Sequence, residues 1–460
     1  MMPTAGGWSR WTGYLVTALL ALQGALALDL NIDSSDSIKA AASNAAYGMM
    51  IHYQGNETGH IPGKLPGTWW EGGAMFMTLI QYWHFTGDDT YNEEVIEGMQ
   101  WQAGDCDYMP SNWSSYLGND DQMFWGLAAM TAAELNFPDS TDGYSWLALA
   151  QGVFNTQVNR WDTTSCNGGM RWQIYSYEAG YDMKNSISNG GLFQLAARLA
   201  RYTGNTTYAE WAEKIFDWSA TTPLLSNSTW NVADSTETTN DCATQGDDQW
   251  TYNYGTYIMG AAYMYNYTNG TTKWLDAVTG LLNVTLDRFF PSSHGGEIMS
   301  EILCEPTEVC NDNEIIFKGL LSTWLAFTSL VVPSTYDEIW PKLQGSAQGA
   351  AATCIGNSNN TCGVRWYGDV WDGWSGLEEQ MSTTSIFSVN MIPFMNTSAA
   401  PVTSTTGGNS TSDPSAGTTD KDSDTETTTA ITTGDKAGAG ILTTVFVGMW
   451  IGMIAWVLIG

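Results

Sequence analysis

One short pattern recurs along this chain and limits the folds open to it. An apolar helix rich in small residues leads into a turn of Thr, Gly, Asn and Asp, and an aromatic residue then opens a second helix. The pattern is read at Phe85 to Tyr91, Asn136 to Tyr144, Tyr202 to Tyr208, Tyr267 to Trp274 and Pro333 to Tyr336. Its marker aromatics return every 50 to 70 residues or so, the length of two helices and their connections. Within each unit the first helix is apolar nearly all round, as at Gly72 to Ile80 and Gly190 to Ala197. The second is amphipathic, as at Tyr208 to Phe216, where Glu210, Glu213 and Lys214 are free to face water. The first kind is expected inside and the second outside. Five units, an opening helix from about Ser35 to Met50 and a closing one from about Gly376 to Met391 make six inner and six outer helices. The expected fold is all-α, an (α/α)6 toroid.

The ends read as addresses. Arg10 precedes an apolar stretch from Tyr14 to Leu22, and Ala25-Leu26-Ala27 offers a signal cleavage site. Residues 1–27 are therefore expected to be a signal peptide and 28–396 the toroid domain. Residues 397–433, almost all Ser, Thr, Gly, Asp and Pro, cannot bury enough apolar area to fold and read as a disordered, O-glycosylated stalk. Residues 434–460 end in an uncharged apolar run with no basic residue after it, the pattern of a GPI-attachment signal. Ten Asn-x-Ser/Thr sequons, from Asn56 to Asn409, agree with secretion and a membrane link through a GPI lipid. Seven Cys in an oxidising compartment imply disulfides. Cys304/Cys310 and Cys354/Cys362 are spaced as local staples, and one of Cys106, Cys166 and Cys242 is left free.

Composition narrows the partners. A formal charge of −32 leaves no basic surface for a phosphate backbone, so nucleic acid is not expected. With four His and no zinc-like spacing, no metal or cofactor is expected either. The chain also carries 23 Trp, and the loops before the inner helices alternate aromatics with acids. These loops hold Trp69-Trp70-Glu71, Asp120-Asp121-Gln122, Trp172 to Asp182, Asp247-Asp248-Gln249-Trp250, Glu297 with Glu301, and Trp366 with Trp371 to Trp374. Rings that pack on CH faces, with carboxylates that accept from hydroxyls, make a carbohydrate groove. An Asp at a helix start is often only an N-cap, but adjacent Asp-Asp exceeds what capping needs. Two neighbouring carboxylates repel, so one is held protonated beside an ionised partner, as glycosidic cleavage requires. Two pairs fit, Asp120-Asp121 and Asp247-Asp248, and composition does not choose between them.

Longer motifs do. Trp69-Trp70-Glu71-x-Gly73-Ala74-Met75, the turn Tyr82 to Asn92, Asp120-Asp121-Gln122-x-x-Trp125 through Glu134, and Asn189 through Asn205 resemble glycoside hydrolase family 76, in particular its fungal cell-wall branch. The resemblance runs from about Ser35 to Met391 and implies the same toroid. It implies a retaining enzyme cleaving α-1,6-mannosyl linkages, with Asp120 as nucleophile and Asp121 as acid/base. Asp247 and Asp248 would hold hydroxyls near the cleavage point, and Trp69, Trp70 and Trp125 would wall the groove. Gln122, Trp250, Tyr254 and Trp371 complete the expected substrate-binding set. For the fungal branch it further implies transfer, with mannan or the glycan of a GPI anchor as donor and wall β-glucan as acceptor. The alternatives are a carbohydrate-binding or structural wall protein without turnover, and a polysaccharide lyase. The lyase fits poorly because these loops lack the Arg, Lys or His that would neutralise a uronate.

Overall fold

A computed structural model describes residues 28, 30–113, 115–244, 246, 248–357, 360–395 and 399–418. Twelve long helices dominate it. They are α1 (Ser35–Met50), α2 (Trp70–Thr86), α3 (Asn92–Trp101), α4 (Asn119–Glu134), α5 (Trp146–Asn159) and α6 (Ser186–Thr203), followed by α7 (Thr206–Thr221), α8 (Thr251–Tyr267), α9 (Thr272–Phe289), α10 (Asp312–Val331), α11 (Tyr336–Thr353) and α12 (Leu377–Val389). The even-numbered helices are the inner ring, each packed on the next, and α12 returns to α2 and closes it. The odd-numbered helices lie outside, and α1 seals the seam against α12. The (α/α)6 toroid is therefore present, with an outer helix opening the chain and an inner one ending it.

The recurring turn has a physical cause. Gly87 and Gly204 end α2 and α6 at φ 76° and 72°, the left-handed conformation that glycine adopts without penalty. Side-chain caps then restart the chain: Ser145 accepts from the Ala148 amide and Asn205 from the Thr207 amide. Each inner helix therefore begins on one rim of the ring, the mouth, and each outer helix begins on the opposite rim, the base. Between the inner helices a buried ion pair, Arg198 Nη2 to Glu134 Oε2 at 2.7 Å, ties α6 to α4, with the Thr131 hydroxyl accepting a further N–H at 2.8 Å.

At the mouth, two short strands pair antiparallel, β1 (Met183–Asn185) with β2 (Ser235–Glu237), matching Lys184 to Thr236. Disulfide Cys166–Cys242 pins the same loops, and buried Lys184 is held by Asp162 Oδ2 at 3.1 Å and the Ser165 carbonyl at 2.9 Å. Cys304–Cys310 and Cys354–Cys362 form the two local staples, and Cys106 is free and buried.

One expectation needs correction. Residues 399–417, assigned to a disordered stalk, lie along the domain as a strap. The Val402 amide donates to the Glu134 carbonyl and the Ser404 amide to the Tyr202 carbonyl, both at the base. The strap then follows α5 toward the mouth. Ser410 Oγ accepts from the Leu147 amide at 2.9 Å, the Asp413 amide donates to Gln151 Oε1 at 2.7 Å, and Asn155 Nδ2 donates to the carbonyls of Pro414 and Ala416. The composition argument fails here because hydrogen bonds to α5, with Ala399 and Ala416 buried and Val402 packed against the core, anchor a segment that could not build a core of its own. Residues 1–27 and 419–460, which hold the expected signal peptide, GPI signal and rest of the stalk, lie outside the described residues.

Candidate active site

Where the inner helices begin, a cavity of about 370 Å³ opens toward solvent. Asp120 and Asp121, in the first turn of α4, both line it and are half-buried. The positive end of α4 favours carboxylates here, and the local bonding divides them. Asp120 receives N–H donors from Asp121, at 3.1 Å, from its own residue and from the Trp172 indole. Asp121 Oδ2 receives the Gly118 N–H at 2.7 Å. Burial pushes the Asp121 carboxyl up to about 6. It pushes Asp120 further, well above the usual carboxylate range, and the charge of Asp121 adds to that rise. The two oxygens share one small space beside Gly118: a Cβ on that residue would lie 2.4 Å from Asp120 Oδ1 and 3.3 Å from Asp121 Oδ2. Such a pair holds a single proton between them over a range of pH.

The residues flanking the pair are tied down from α5. Arg160 Nε donates to Asn119 Oδ1 at 2.7 Å and its Nη2 to Gln122 Oε1. Gln157 Nε2 donates to the Asn119 carbonyl at 2.6 Å, and Gln122 Nε2 donates to the Asp107 carbonyl and Thr156 Oγ1 at 2.6 and 2.8 Å. Gln122 is fully buried in this network. It supports the turn from beneath rather than contacting a substrate, which corrects its assignment.

Across the cavity stand Asp234, Tyr252 and Phe317. Asp234 Oδ1 accepts Asn253 Nδ2 at 2.9 Å, and burial raises its carboxyl. Tyr252 stacks on Phe317 at 3.6 Å between centroids. Burial, then the charges of Asp234 and Asp120, keep the Tyr252 phenol protonated and so a donor. Trp70 closes one side, its ring tilted against Phe124 at 4.6 Å between centroids and its Nε1 donating to Asn313 Oδ1 at 3.0 Å. Among the described residues no Lys, Arg or His lines this cavity. It suits an uncharged, hydroxyl-rich ligand.

Several predicted wall residues are elsewhere. Trp69 and Trp125 are core residues stacked on one another at 5.0 Å, with their indole N–H groups on Gln102 Oε1 and the Trp69 carbonyl. Tyr254 is fully buried, its hydroxyl between Gln249 Oε1 at 2.5 Å and the Val232 amide at 3.1 Å. Trp250 packs edge-on against Phe317 and does not line the cavity. Trp371 donates to the Trp374 carbonyl in its own loop and is likewise absent from the lining. Asp248 is exposed and contributes its carbonyl to the Asp234 amide, while Asp247 lies outside the described residues. The acid that faces Asp120 is thus Asp234, with no motif of its own. Asn185, the N-cap of α6, also lines the cavity. A polar cap just before an apolar inner helix was the one signal available for it.

With this geometry in hand, comparison with known proteins is direct. The model of glycosyl hydrolase family 76 matches residues 37–405. The chain belongs to this family. Within the family it is 43% identical to the mannan endo-1,6-alpha-mannosidase DCW1 of Saccharomyces cerevisiae, over 94% of this chain and 95% of the relative. It is 41% identical to the DCW1 protein of Candida albicans, over 98% of this chain and 100% of that one. Among solved structures, Dfg5 of Chaetomium thermophilum in complex with glucosamine superposes with a TM-score of 0.81 at 42% identity, covering 85% of this chain and 98% of that one. An inactive variant of the family 76 α-1,6-mannanase of Salegentibacter, bound to α-1,6-mannotriose, shares the fold with a TM-score of 0.63 at 19% identity, over 77% and 99% of the two chains.

Proposed function

We propose that the protein is a mannan endo-1,6-α-mannosidase that works with retention through Asp120 and Asp121. The observation that carries the reading is the pair itself, two adjacent carboxyls in one solvent-open cavity without a cation, on a family 76 toroid. In the first step the Asp120 carboxylate attacks the anomeric carbon while Asp121 gives its proton to the departing sugar oxygen. The C–O bond of the linkage breaks and an ester to Asp120 forms. In the second step the Asp121 carboxylate takes a proton from an incoming hydroxyl, whose oxygen displaces Asp120. Burial alone orders the pair the other way, with Asp120 the higher. The three N–H groups on Asp120, against one on Asp121, support its ionisation once a glycosidic oxygen meets Asp121. Tyr252 and Asp234 would hold hydroxyls of the sugar from across the cavity.

The incoming hydroxyl decides the biological outcome. Water gives hydrolysis, and a sugar gives transfer. We propose transfer, from mannan or the mannose core of a GPI glycan to wall β-glucan, by an enzyme of the secretory pathway held by a GPI lipid. The names of the curated relatives and the resemblance to the fungal branch support the mannosyl donor. Incubation of the purified protein with an α-1,6-mannooligosaccharide, with and without a β-glucan oligosaccharide, tests both parts. An α-configured product with new mannosyl-glucan species is expected. A β-configured product sinks retention, free sugar alone sinks transfer, and no cleavage sinks the enzyme.

A further inference from the structure

Glu301 belongs to one of the acid-bearing entries to the inner helices, yet it does not line the cavity. It lies in the loop between α9 and α10, fully buried, and its side chain is bonded to the start of α8. Glu301 Oε1 accepts the Thr251 amide at 3.0 Å and the Thr251 hydroxyl as well. The first amides of a helix need acceptors from outside its own ladder. At the neighbouring inner helices the residue just before the helix supplies one: Asn185 accepts from the Ser188 amide at α6, and Asn311 from the Glu314 amide at α10. The N-cap of α8 is Trp250, whose side chain offers none, and the acceptor comes instead from a residue 50 positions away in sequence.

Glu301 is itself held in place. Its amide donates to Glu305 Oε1 at 3.0 Å, the Ser300 hydroxyl donates to Glu305 Oε2 at 3.1 Å, and Lys318 Nζ pairs with Glu305 Oε1 at 2.6 Å. Glu305 and Lys318 are each 1% exposed. Lys318 also donates to the Val364 carbonyl at 2.5 Å and lies over the Trp366 ring at 4.1 Å, while disulfide Cys304–Cys310 closes the loop around Glu305. This run of bonds begins and ends beside the same two rings. Thr251 precedes Tyr252 and Lys318 follows Phe317, the pair stacked at 3.6 Å on the cavity wall. A helix that needed only a cap would take Ser, Thr, Asp or Asn at residue 250. An acid brought from another loop and tied to a buried ion pair fixes the direction of the first turn as well as its bonding.

We propose that Glu301 is a positioning residue: through Thr251 it holds the first turn of α8 so that the Tyr252 hydroxyl meets the sugar bound at Asp120 and Asp121. The proposal rests on the reading of Tyr252 as a contact to that sugar. The role calls for an acceptor and not for a charge. The nearby cation, Lys318, is taken by Glu305, burial raises the Glu301 carboxyl well above the usual carboxylate range, and Glu301 Oε2 is buried without a partner. Gln presents the same carbonyl oxygen to Thr251, whereas Leu fills the space and presents nothing.

The test is a double-mutant cycle on kcat/KM for α-1,6-mannotetraose with the whole purified protein. Tyr252→Phe, which removes only the hydroxyl, is expected to cost about tenfold. Glu301→Leu is expected to cost about tenfold in the wild-type background and less than about twofold on top of Tyr252→Phe, because the hydroxyl it positions is then gone. Glu301→Gln is expected to stay within about twofold of wild type. An acid with a merely structural role gives equal losses in both backgrounds, and that result, or wild-type kcat/KM for Glu301→Leu, overturns the proposal. Should Glu301→Leu fail to fold, Thr251→Val removes the hydroxyl donor alone and enters the same cycle, with a loss of about threefold expected only where Tyr252 is kept and equal or no loss in both backgrounds overturning the proposal. Amide exchange over residues 251–254 reads the positioning without substrate: it should be about tenfold faster in Glu301→Leu and unchanged in Glu301→Gln, and wild-type exchange in Glu301→Leu overturns the proposal. Tyr252→Phe as active as wild type overturns both the proposal and the Tyr252 contact, while turnover by wild type leaves the mannosidase reading standing. Absence of turnover sinks that reading, and the exchange rates then decide on Glu301 by themselves.

Discussion

Gly118→Ala puts one methyl group against the proposed catalytic pair and little else. The new Cβ would lie 2.4 Å from Asp120 Oδ1, where a carbon–oxygen contact needs about 3.3 Å or more. One of the two must therefore move by close to 1 Å. The backbone is poorly placed to yield, because the Trp172 carbonyl backs the same point at 3.3 Å and is itself bonded to the Asn119 amide at 2.8 Å. The carboxylate gives way instead. A displacement of about 1 Å at a reacting group costs on the order of 10²-fold in rate, or about 2.7 kcal/mol of activation free energy. Gly118 has φ −80° and ψ 162°, which alanine adopts without strain, so the fold should hold. The assay is kcat on an α-1,6-mannotetraose, with thermal unfolding of the same preparation as control. We expect kcat to fall about 100-fold, KM to change little and Tm to stay within a few degrees. A variant with wild-type kcat and wild-type Tm would refute the placement of Asp120 as the reacting carboxylate.

Other outcomes follow from the same geometry. Below about pH 6 the Asp pair takes up its second proton and no carboxylate remains to attack, so kcat/KM should show an acid limb near 6. A rate flat from pH 4 to 7 contradicts it. Stability should run the other way with pH. Burial raises Glu71 to about 8 and Glu379 to about 7, above the ordinary carboxylate value of about 4.5, so the native state holds protons that the unfolded chain releases. Stability is then fullest near pH 4.5 and lost as pH rises through 7 and 8, and Tm should be lower at pH 8 than at pH 5. Arg160→Met removes the fork holding Asn119 and Gln122 without touching the cavity. It should cut kcat at least tenfold and shift the acid limb, and Arg160→Lys should not restore it, because one ammonium cannot span both partners. Tyr254→Phe should leave KM unchanged and cost about 1 kcal/mol in denaturant unfolding, as expected of a buried hydroxyl bonded to Gln249 and Val232.

How much of this was legible depends on whether the signal was local. The ring was, because the left-handed Gly87 and Gly204 and the caps that follow are written into a few adjacent residues. The proposed Asp pair was legible only in part: two adjacent carboxylates exceed a cap's requirement, but Asp247-Asp248 meets the same test, and only the longer motifs favour Asp120-Asp121. The tryptophans were not. Trp69 and Trp70 are neighbours, yet one packs on Trp125 and the other on Phe124 at the cavity wall. An inner helix apolar all round has no polar face from which to read direction. Asp234 was invisible because no helix start marks it. The pairing of β1 with β2, distant in sequence, together with the Asp234 amide on the Asp248 carbonyl, brings it to the cavity that Asp120 lines. The strap was misread because composition reports whether a segment can build its own core, not whether it can lie along another.

That strap also stores length. From the neighbourhood of Ser145 to that of Asn155 it climbs about 15 Å of α5. Peeled away, residues 399–417 would extend to roughly 60 Å. Because hydrogen bonds to Gln151 and Asn155 hold its last residues, a pull applied beyond residue 418 would open them one after another from the mouth end. The domain thus carries a reel of slack on its flank, paid out gradually under load while the ring of helices stays closed.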